Sequence, residues 1–266
     1  MITNHEVQQF EHEGVVAIRQ ILSAQEIESL KTAVTSIEDN PGPLSIPQSS
    51  EDGSRGFIED FRRWQDQQPI ETIARNSSLP QIASLLTKST TIRFHHDHTL
   101  IRSNGNQQRT PWHQDQPYYD LNGTQTVSFW IPLDSVPVEE CMEVVAGTHT
   151  GSWMMPRTFI DKEARWFPEG TLQEVPDIDN NRDSFSIRSW ALEPGDVICF
   201  SFLSLHAAPG SRKGRRTVSL RYIGDNVRRT QRSWKTSPPF PELEDPVTGL
   251  QDGEELNHPL FPVVWP

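Results

Sequence analysis

The second part of the chain is a succession of short strand patterns, and this feature limits the possible folds most. From Thr90 onward, segments rich in β-branched and aromatic residues alternate with turn sequences such as NG, AGTH and EPGD. The strand patterns are TTIRFHHDHTLIR, TVSFWIPLD, MEVVA, FSIRSWALE, DVICFSFLSLHAA and RRTVSLRYIGD. Short strands at close spacing are typical of a β-sandwich or β-barrel, because a parallel sheet would need a helical pattern between successive strands. We therefore predict a mainly β core.

The first part of the chain carries the helical signals. Thr3 with Glu6, and Ser23 with Glu26, each match a capping box, in which two side chains satisfy free amides of a first helical turn. After Ser23, apolar residues recur at three- and four-residue steps, which predicts an amphipathic helix. Between these helices VVAIRQ predicts a short strand, and a third helical pattern over about residues 70–88 is interrupted near its proline.

Two segments lack regular patterns and are predicted to be loops. The segment from Asn40 to Gly56 is rich in Pro, Ser and Gly, which predicts a mobile loop. The segment from Met155 to Asp183 shows no strand alternation, and a long excursion of this kind is usually a lid or a binding loop. We expect both segments to influence which substrate is accepted.

The length of the chain is compatible with one large domain, since all-β barrels of this size are commonly single domains. We predict a single domain over residues 1–266. It would comprise a helical part over about residues 1–88, a β core over about 90–225 and a C-terminal extension over about 226–266.

The chain is acidic, with 24 Lys and Arg against 36 Asp and Glu and a formal net charge of −12. This charge repels phosphate backbones and anionic membranes, and no basic run offsets it, so we expect no nucleic-acid or membrane partner. The N-terminal sequence lacks the basic start and apolar stretch of a secretory signal. Cys141 and Cys199 are too few for a disulfide framework, which favours a cytoplasmic protein with reduced thiols.

The stretch TPWHQDQPYY contains the first indication of a metal site. His113 and Asp115 are two residues apart, so on a strand their side chains would point to the same side and could reach one ion. His206, which follows the apolar pattern VICFSFLSL, is the best candidate for a third ligand. Two histidines and one carboxylate leave metal positions open, the arrangement that suits non-haem Fe(II) oxygenases. Alone, an H-x-D pattern is weak evidence, because it also occurs by chance in surface turns.

Two arginines beyond His206 suggest a co-substrate. Arg215 and Arg216 begin the pattern RRTVSLRY, and an arginine can bind the far carboxylate of 2-oxoglutarate with two parallel hydrogen bonds. The order of H-x-D, distal histidine and arginine is more specific than any single part. Taken alone, either arginine would more often be a solvated surface charge.

Several of these segments together resemble the phytanoyl-CoA dioxygenase family, which includes ectoine hydroxylases. The resemblance rests on TPWHQDQPYY, TVSFWIPLD, EVVAGTHTGS, LEPGDVICF, LHAAPGS and RRTVSLRY, from about Phe57 to Asp225, with a weaker echo in HPLFPVVWP. It implies a double-stranded β-helix core with flanking helices. It also implies Fe(II), 2-oxoglutarate and O2, and hydroxylation of a small-molecule substrate with release of succinate and CO2. The motifs are specific for the family but not for its substrate.

The resemblance also implies roles for individual residues. His113, Asp115 and His206 would hold the iron and form the catalytic centre, and Arg215 would bind the far carboxylate of 2-oxoglutarate. The segment between His206 and Arg215 is slightly shorter than usual in the family. The choice of Arg215 over Arg216 therefore depends on the alignment of RRTVSLRY.

Four other residues are candidates for contacts near the site. Trp130 stands where family members place a tryptophan that contacts the co-substrate. Arg102 stands at a strand position that often holds lysine in the family, where it would contact co-substrate or substrate. Tyr118 and Tyr119 would either line the substrate pocket or pack in the core, and both alternatives remain open.

The strand RRTVSLRY makes a prediction about orientation, because alternate residues of a regular strand lie on opposite faces. The face predicted to line the barrel interior holds Arg215, Thr217, Ser219 and Arg221. The face predicted to pack beneath helices, with its arginine at the rim, holds Arg216, Val218, Leu220 and Tyr222. The small threonine and serine would leave room for a ligand beside Arg215.

The segment His95-His96-Asp97-His98 contains a second H-x-D and is a possible rival metal cluster. A regular strand would place His96 and His98 on one face, and His95 and Asp97 on the other. We favour a strand that lines the barrel, with one or two histidines near the site and the others exposed.

Two other classes of function remain open. A cupin-like metalloenzyme that does not use 2-oxoglutarate would keep the fold and the metal, but the paired arginines after His206 count against it. A catalytically silent binding module would keep only the fold, but the complete set of ligands counts against it.

Overall fold

The computed structural model describes residues 2–49, 55–155, 170 and 172–266, which are mainly β with helices near the N-terminus, as predicted. The helices are α1 (Asn4–Glu13), α2 (Ala24–Asp39), α3 (Gln68–Asn76) and α4 (Leu79–Thr87). The strands are β1 (Val15–Ile18), β2 (Ile46–Ser49), β3 (Arg55–Phe61), β4 (Ile92–Asn104), β5 (Thr110–His113), β6 (Leu121–Asn122), β7 (Thr126–Pro132), β8 (Glu143–Val145), β9 (Ile187–Arg188), β10 (Val197–Phe200), β11 (His206–Ala208), β12 (Lys213–Ile223), β13 (Arg228–Arg229) and β14 (Val263–Trp265). No helix within the described residues has the length and apolar character needed to cross a membrane.

Both predicted capping boxes are present. The Glu6 amide donates to the Thr3 hydroxyl at 3.2 Å, and the Thr3 amide donates to the Glu6 carboxylate at 2.6 Å. Ser23 and Glu26 make the same reciprocal pair at the start of α2. The third helical pattern forms two helices, and Pro80 lies in the first turn of α4, where a missing amide hydrogen leaves no intrahelical bond unmade.

An antiparallel eight-stranded sheet forms the larger layer of the core. Its strand order is β1-β10-β7-β12-β4-β3-β2, with β14 also paired to β4. One face of this sheet packs against the helices, where buried residues such as Leu30, Ala74 and Leu86 join Phe129 and Leu220 in one apolar cluster. The opposite face of this sheet can line the interior of the barrel.

The predicted orientation of β12 is confirmed. Leu220 and Tyr222 lie in the apolar cluster beneath the helices, and the Tyr222 hydroxyl donates to the Ala74 carbonyl at 3.0 Å. Arg216 reaches the rim and pairs with Asp134 at 2.9 Å. The other face holds four buried residues, Arg215, Thr217, Ser219 and Arg221.

A four-stranded sheet with the order β5-β11-β8-β9 forms the second layer. DVICFSFLSLHAA was predicted to be one strand, but the chain leaves the large sheet after β10 and enters the small sheet at β11. The carbonyl of Gly14 holds the turn, because it accepts hydrogen bonds from the Ser201 amide at 2.9 Å and the Ser204 hydroxyl at 2.7 Å. This crossing places His206 on the small sheet.

The prediction of a mobile loop from Asn40 to Gly56 is wrong for part of that segment. β2 pairs with β3 in antiparallel register, with Ile46 opposite Glu59, so the end of the segment continues the large sheet. Too few apolar residues alternate in β2 for its pattern to stand out among the prolines and serines. Residues 50–54 lie outside the described residues.

The predicted lid from Met155 to Asp183 lies partly outside the described residues, which omit 156–169 and 171. Its described end packs on the small sheet, where Ile178 is buried near Trp112. The Trp112 indole donates to the Asp179 carboxylate at 3.0 Å.

The C-terminal segment packs against the β core. Phe240, Leu243, Leu250 and Phe261 are buried in one cluster with Tyr119. β14 adds to the large sheet, with Val263 opposite Arg93 on β4.

Candidate metal centre

His113, Asp115 and His206 meet in the space between the two sheets. One ligand atom from each lies within 4.8 Å of the others, and all three residues are buried. The Asp115 Oδ1 atom is 3.6 Å from His113 Nε2 and 3.7 Å from His206 Nε2. Within the described ranges, no other group of three histidine, cysteine or carboxylate side chains converges in this way.

The two histidines come from neighbouring strands, but Asp115 does not lie on a strand. His113 ends β5 and is directly opposite His206 at the start of β11. Asp115 has right-handed helical backbone angles and precedes the 3-10 helix Gln116–Tyr118, so the prediction that one strand presents both residues is wrong. The chain turns because Pro117 cannot donate to a strand ladder, and the Asp115 amide instead donates to the Phe202 carbonyl at 2.8 Å.

Backbone carbonyls fix the orientation of both imidazoles. His113 Nδ1 lies 2.8 Å from the Pro111 carbonyl, and His206 Nδ1 lies 2.9 Å from the Ser204 carbonyl. These contacts leave the Nε2 atom of each histidine facing the Asp115 carboxylate. Burial is the main cause that lowers the pKa of His206 to about 3, so this imidazole is neutral near pH 7.

Asp115 is ionised despite its burial. Burial by itself would raise the pKa of its carboxyl, but the guanidinium of Arg221 and the two histidines outweigh this effect and hold the pKa well below its usual range. Arg221 donates to Asp115 Oδ2 from Nε at 3.2 Å and from Nη2 at 2.9 Å. Two imidazole nitrogens and one carboxylate oxygen fit a first-row transition metal.

Arg102 and Arg215 form a second feature of the barrel interior. They are opposite each other on β4 and β12, and both are buried. Within the described part of the chain neither forms a salt bridge: Arg215 donates to the carbonyls of Glu140 and Pro209, and Arg102 to the Gln108 carbonyl and the Thr110 hydroxyl. Burial is the main cause that lowers the pKa of Arg102 to about 9, and the charge of Arg215 lowers it further.

Trp130 lies beside the pair formed by Arg102 and Arg215. It lies on β7 opposite Ser219 of β12, and its ring centroid is 5.7 Å from the guanidinium carbon of Arg215. The structure therefore brings Arg102, Trp130 and Arg215 to one region of the interior. Their contacts with a co-substrate stay a prediction.

A cavity of about 50 Å³ borders the candidate metal ligands. His113, Asp115 and Arg221 line one side, and the other lining residues are Glu59, Phe61, His98, Tyr118, Tyr119 and Ser237. His98 stacks on Phe61 with ring centroids 4.0 Å apart, and its Nε2 is 3.2 Å from the Glu59 carboxylate. The two tyrosines are thus both buried and beside the cavity. The sequence patterns did not single out Glu59 or Phe61.

Among the described residues, the segment from His95 to His98 takes part in no metal cluster. The predicted exposure of some of its histidines is wrong, because all four residues are buried. A β-bulge on β4 breaks the alternation, since Arg221 is opposite His96 whereas Tyr222 is opposite Phe94. The bulge lets His95 and His96 contact the same ring, that of Tyr119. Asp97 points the other way and accepts hydrogen bonds from the amides of Arg63 and Trp64.

Comparison with known proteins gives a family and a fold. The phytanoyl-CoA dioxygenase (PhyH) family profile matches residues 10–217. No match was found among curated protein sequences. The non-heme alpha ketoglutarate dependent carbocyclase SnoK from nogalamycin biosynthesis is 19% identical with a TM-score of 0.75, covering 98% of this chain and 96% of that one.

Two further solved structures are similar. The epimerase SnoN in complex with Fe3+, alpha ketoglutarate and nogalamycin RO is 19% identical with a TM-score of 0.72, covering 98% of this chain and 97% of SnoN. EctD from S. alaskensis with 2-oxoglutarate and 5-hydroxyectoine is 18% identical with a TM-score of 0.69, covering 96% of this chain and 85% of EctD. At these identities the similarity shows a shared fold, and it confirms the predicted double-stranded β-helix core with flanking helices.

Proposed function

Because the chain belongs to the phytanoyl-CoA dioxygenase family, we propose that it is an Fe(II)- and 2-oxoglutarate-dependent oxygenase that hydroxylates a small-molecule substrate and releases succinate and CO2. The observation that carries this proposal is the convergence of His113, Asp115 and His206 in an interior that also holds two buried arginines. One of them, Arg102, donates to the Thr110 hydroxyl on the strand that ends at His113. A metal site and a buried cationic site in one interior fit a co-substrate that binds the metal at one end and a cation at the other.

In this proposal His113 Nε2, His206 Nε2 and Asp115 Oδ1 hold the metal. Fe(II) with bound 2-oxoglutarate would supply the oxidising chemistry. The protein's share is to present three ligand atoms in one orientation, which the carbonyls of Pro111 and Ser204 and the guanidinium of Arg221 support.

Arg215 and Arg102 would bind the far carboxylate of 2-oxoglutarate. A guanidinium has five N–H donors, so the carbonyl contacts of Arg215 leave donors for a carboxylate. A bound anion would also offset two buried positive charges that form no salt bridge with a described residue. Trp130 would restrict the depth of this co-substrate site, since its ring lies beside Arg215.

The cavity lined by Glu59, Phe61, His98, Tyr118 and Tyr119 would receive the substrate. Neither Arg102 nor Arg215 lines this cavity, so co-substrate and substrate would approach the metal from different sides. Phe61 and the two tyrosines would contact apolar parts of the substrate, and Glu59 and His98 would offer polar contacts. The structures of SnoN with nogalamycin RO and EctD with 5-hydroxyectoine support a small-molecule substrate.

We further propose that residues 1–266 act as a single domain in the cytoplasm. The pairing of β14 with β4 and the burial of Phe261 in a cluster with Tyr119 support one folding unit. Cys141 and Cys199 are buried and unbridged, which is compatible with a reducing compartment.

A screen of small molecules for substrate-stimulated succinate release tests the proposed function. The protein is loaded with Fe(II) anaerobically and then mixed with air, 2-oxoglutarate and pools of candidate substrates. We expect a substrate to increase succinate release and to be hydroxylated in equal amount, and the His206→Gln variant to release none above background. Product formation that continues without 2-oxoglutarate would contradict the proposal and favour a metalloenzyme of another type.

A further inference from the structure

Arg221 is a buried arginine to which the sequence patterns gave no role. It lies on β12, with His96 of β4 on one side and Ser128 of β7 on the other. Its side chain crosses the interior to Asp115, which comes two residues after β5 of the small sheet. The guanidinium is therefore a link between the large sheet and one candidate metal ligand.

The contact gives the two oxygens of the Asp115 carboxylate different surroundings. Both Nε and Nη2 of Arg221 donate to Oδ2, at 3.2 and 2.9 Å. Oδ1 receives neither bond and is the oxygen near the two imidazoles, 3.6 Å from His113 and 3.7 Å from His206. Two donors on one oxygen fix the rotation of the carboxylate, which leaves Oδ1 toward the metal position.

The guanidinium is not fully satisfied by this contact. The Nη1 atom of Arg221 is buried and has no hydrogen-bond partner among the described residues, although Arg221 lines the cavity beside the ligands. A buried charge with an unsatisfied donor is a poor means of stabilising a fold, since desolvation often exceeds the gain from the ion pair. The contact between Arg221 and Asp115 is therefore better explained by a role at the candidate metal site than by a role in stabilising the fold.

We propose that Arg221 is a positioning residue that makes Asp115 a one-oxygen metal ligand by occupying Oδ2. This inference rests on the proposed function, because it needs a metal at the three ligands. Two imidazoles and one carboxylate oxygen take three positions of an octahedral metal and leave about three open. A carboxylate that bound the metal through both oxygens would leave about two positions open. A 2-oxoglutarate that binds through two atoms would fill both of them.

The number of open positions can be measured without turnover. Mn(II) is bound to the protein in place of Fe(II), and the relaxation of water protons gives the number of exchangeable waters on the metal. We expect about three waters for the wild type and about two for Arg221→Gln, in which Oδ2 is released and can reach the metal. An ion pair that served folding alone would change the stability of the protein but not this number.

The matched control is Arg216→Gln, which removes a guanidinium from the opposite face of the same strand, where it pairs with the partly exposed Asp134. This control should keep about three waters. A folded Arg221→Gln variant that binds Mn(II) with the wild-type number of waters would overturn the proposal.

The wild type provides a second test if Arg221→Gln fails to fold. A count of about two waters in the wild-type complex would mean that Asp115 already uses both oxygens, which would also overturn the proposal. A wild-type protein that binds no Mn(II) at His113 and His206 would instead contradict the proposed function, so the two failures are distinguishable.

Discussion

Replacing Asp115 with alanine is expected to abolish iron binding and to lower turnover by at least about 10³-fold. The carboxylate supplies one of three buried ligand atoms, and the two imidazoles alone would hold the metal weakly. The same change removes the partner of a buried guanidinium, so the free energy of unfolding should fall by about 3–5 kcal/mol. Iron content after anaerobic loading, succinate release and chemical denaturation measure these three effects.

Two controls separate loss of the metal from loss of the fold. Asp134→Ala also removes the carboxylate partner of an arginine, but that pair is partly exposed, so stability should change by less than about 1 kcal/mol and iron binding not at all. His206→Gln removes a ligand while the contact between Asp115 and Arg221 remains. Wild-type iron content in a folded Asp115→Ala protein would refute the ligand assignment.

Replacing Arg215 with alanine should raise the concentration of 2-oxoglutarate needed for half-maximal succinate release far more than replacing Arg216. Loss of a buried charge-assisted pair costs about 2–5 kcal/mol. That range corresponds to an increase of about 30-fold to several thousand-fold in the apparent constant. Arg216 pairs with Asp134 at the rim, so its removal should change the constant by less than about 5-fold.

The comparison is matched because the two arginines are adjacent on one strand and differ in the face they occupy. Arg215 is buried beside Trp130, whereas Arg216 is partly exposed. Iron content should remain at the wild-type level in both variants, which separates loss of the co-substrate from loss of the metal. A larger effect for Arg216→Ala would show that the co-substrate binds elsewhere.

Patterns that depend on neighbouring residues could be predicted from the sequence. The capping boxes at Thr3 and Ser23 form as expected, because a helix start is decided within four residues. The two faces of β12 also follow from strand alternation, which separates Arg215 from Arg216. Both predictions needed only local backbone geometry.

Features that depend on distant partners could not be predicted in this way. β2 exists because its backbone pairs with β3, and its sequence shows little alternation of apolar and polar residues. The bulge at His95 depends on the register between β4 and β12, and it changes which face that histidine occupies. Arg221 was placed on the correct face, but its contact with Asp115 requires knowledge of where the two sheets meet.

The central claim is that one metal site and one arginine site together bind 2-oxoglutarate. Its most direct test is an anaerobic titration of the Fe(II)-loaded protein with 2-oxoglutarate, followed by visible absorption from charge transfer between iron and the chelated keto acid. We predict a band that saturates at one 2-oxoglutarate per iron in the wild type and is absent from His206→Gln. It should require much more 2-oxoglutarate in Arg215→Ala. A wild-type protein that is fully loaded with iron and shows no such band at saturating 2-oxoglutarate would contradict this account.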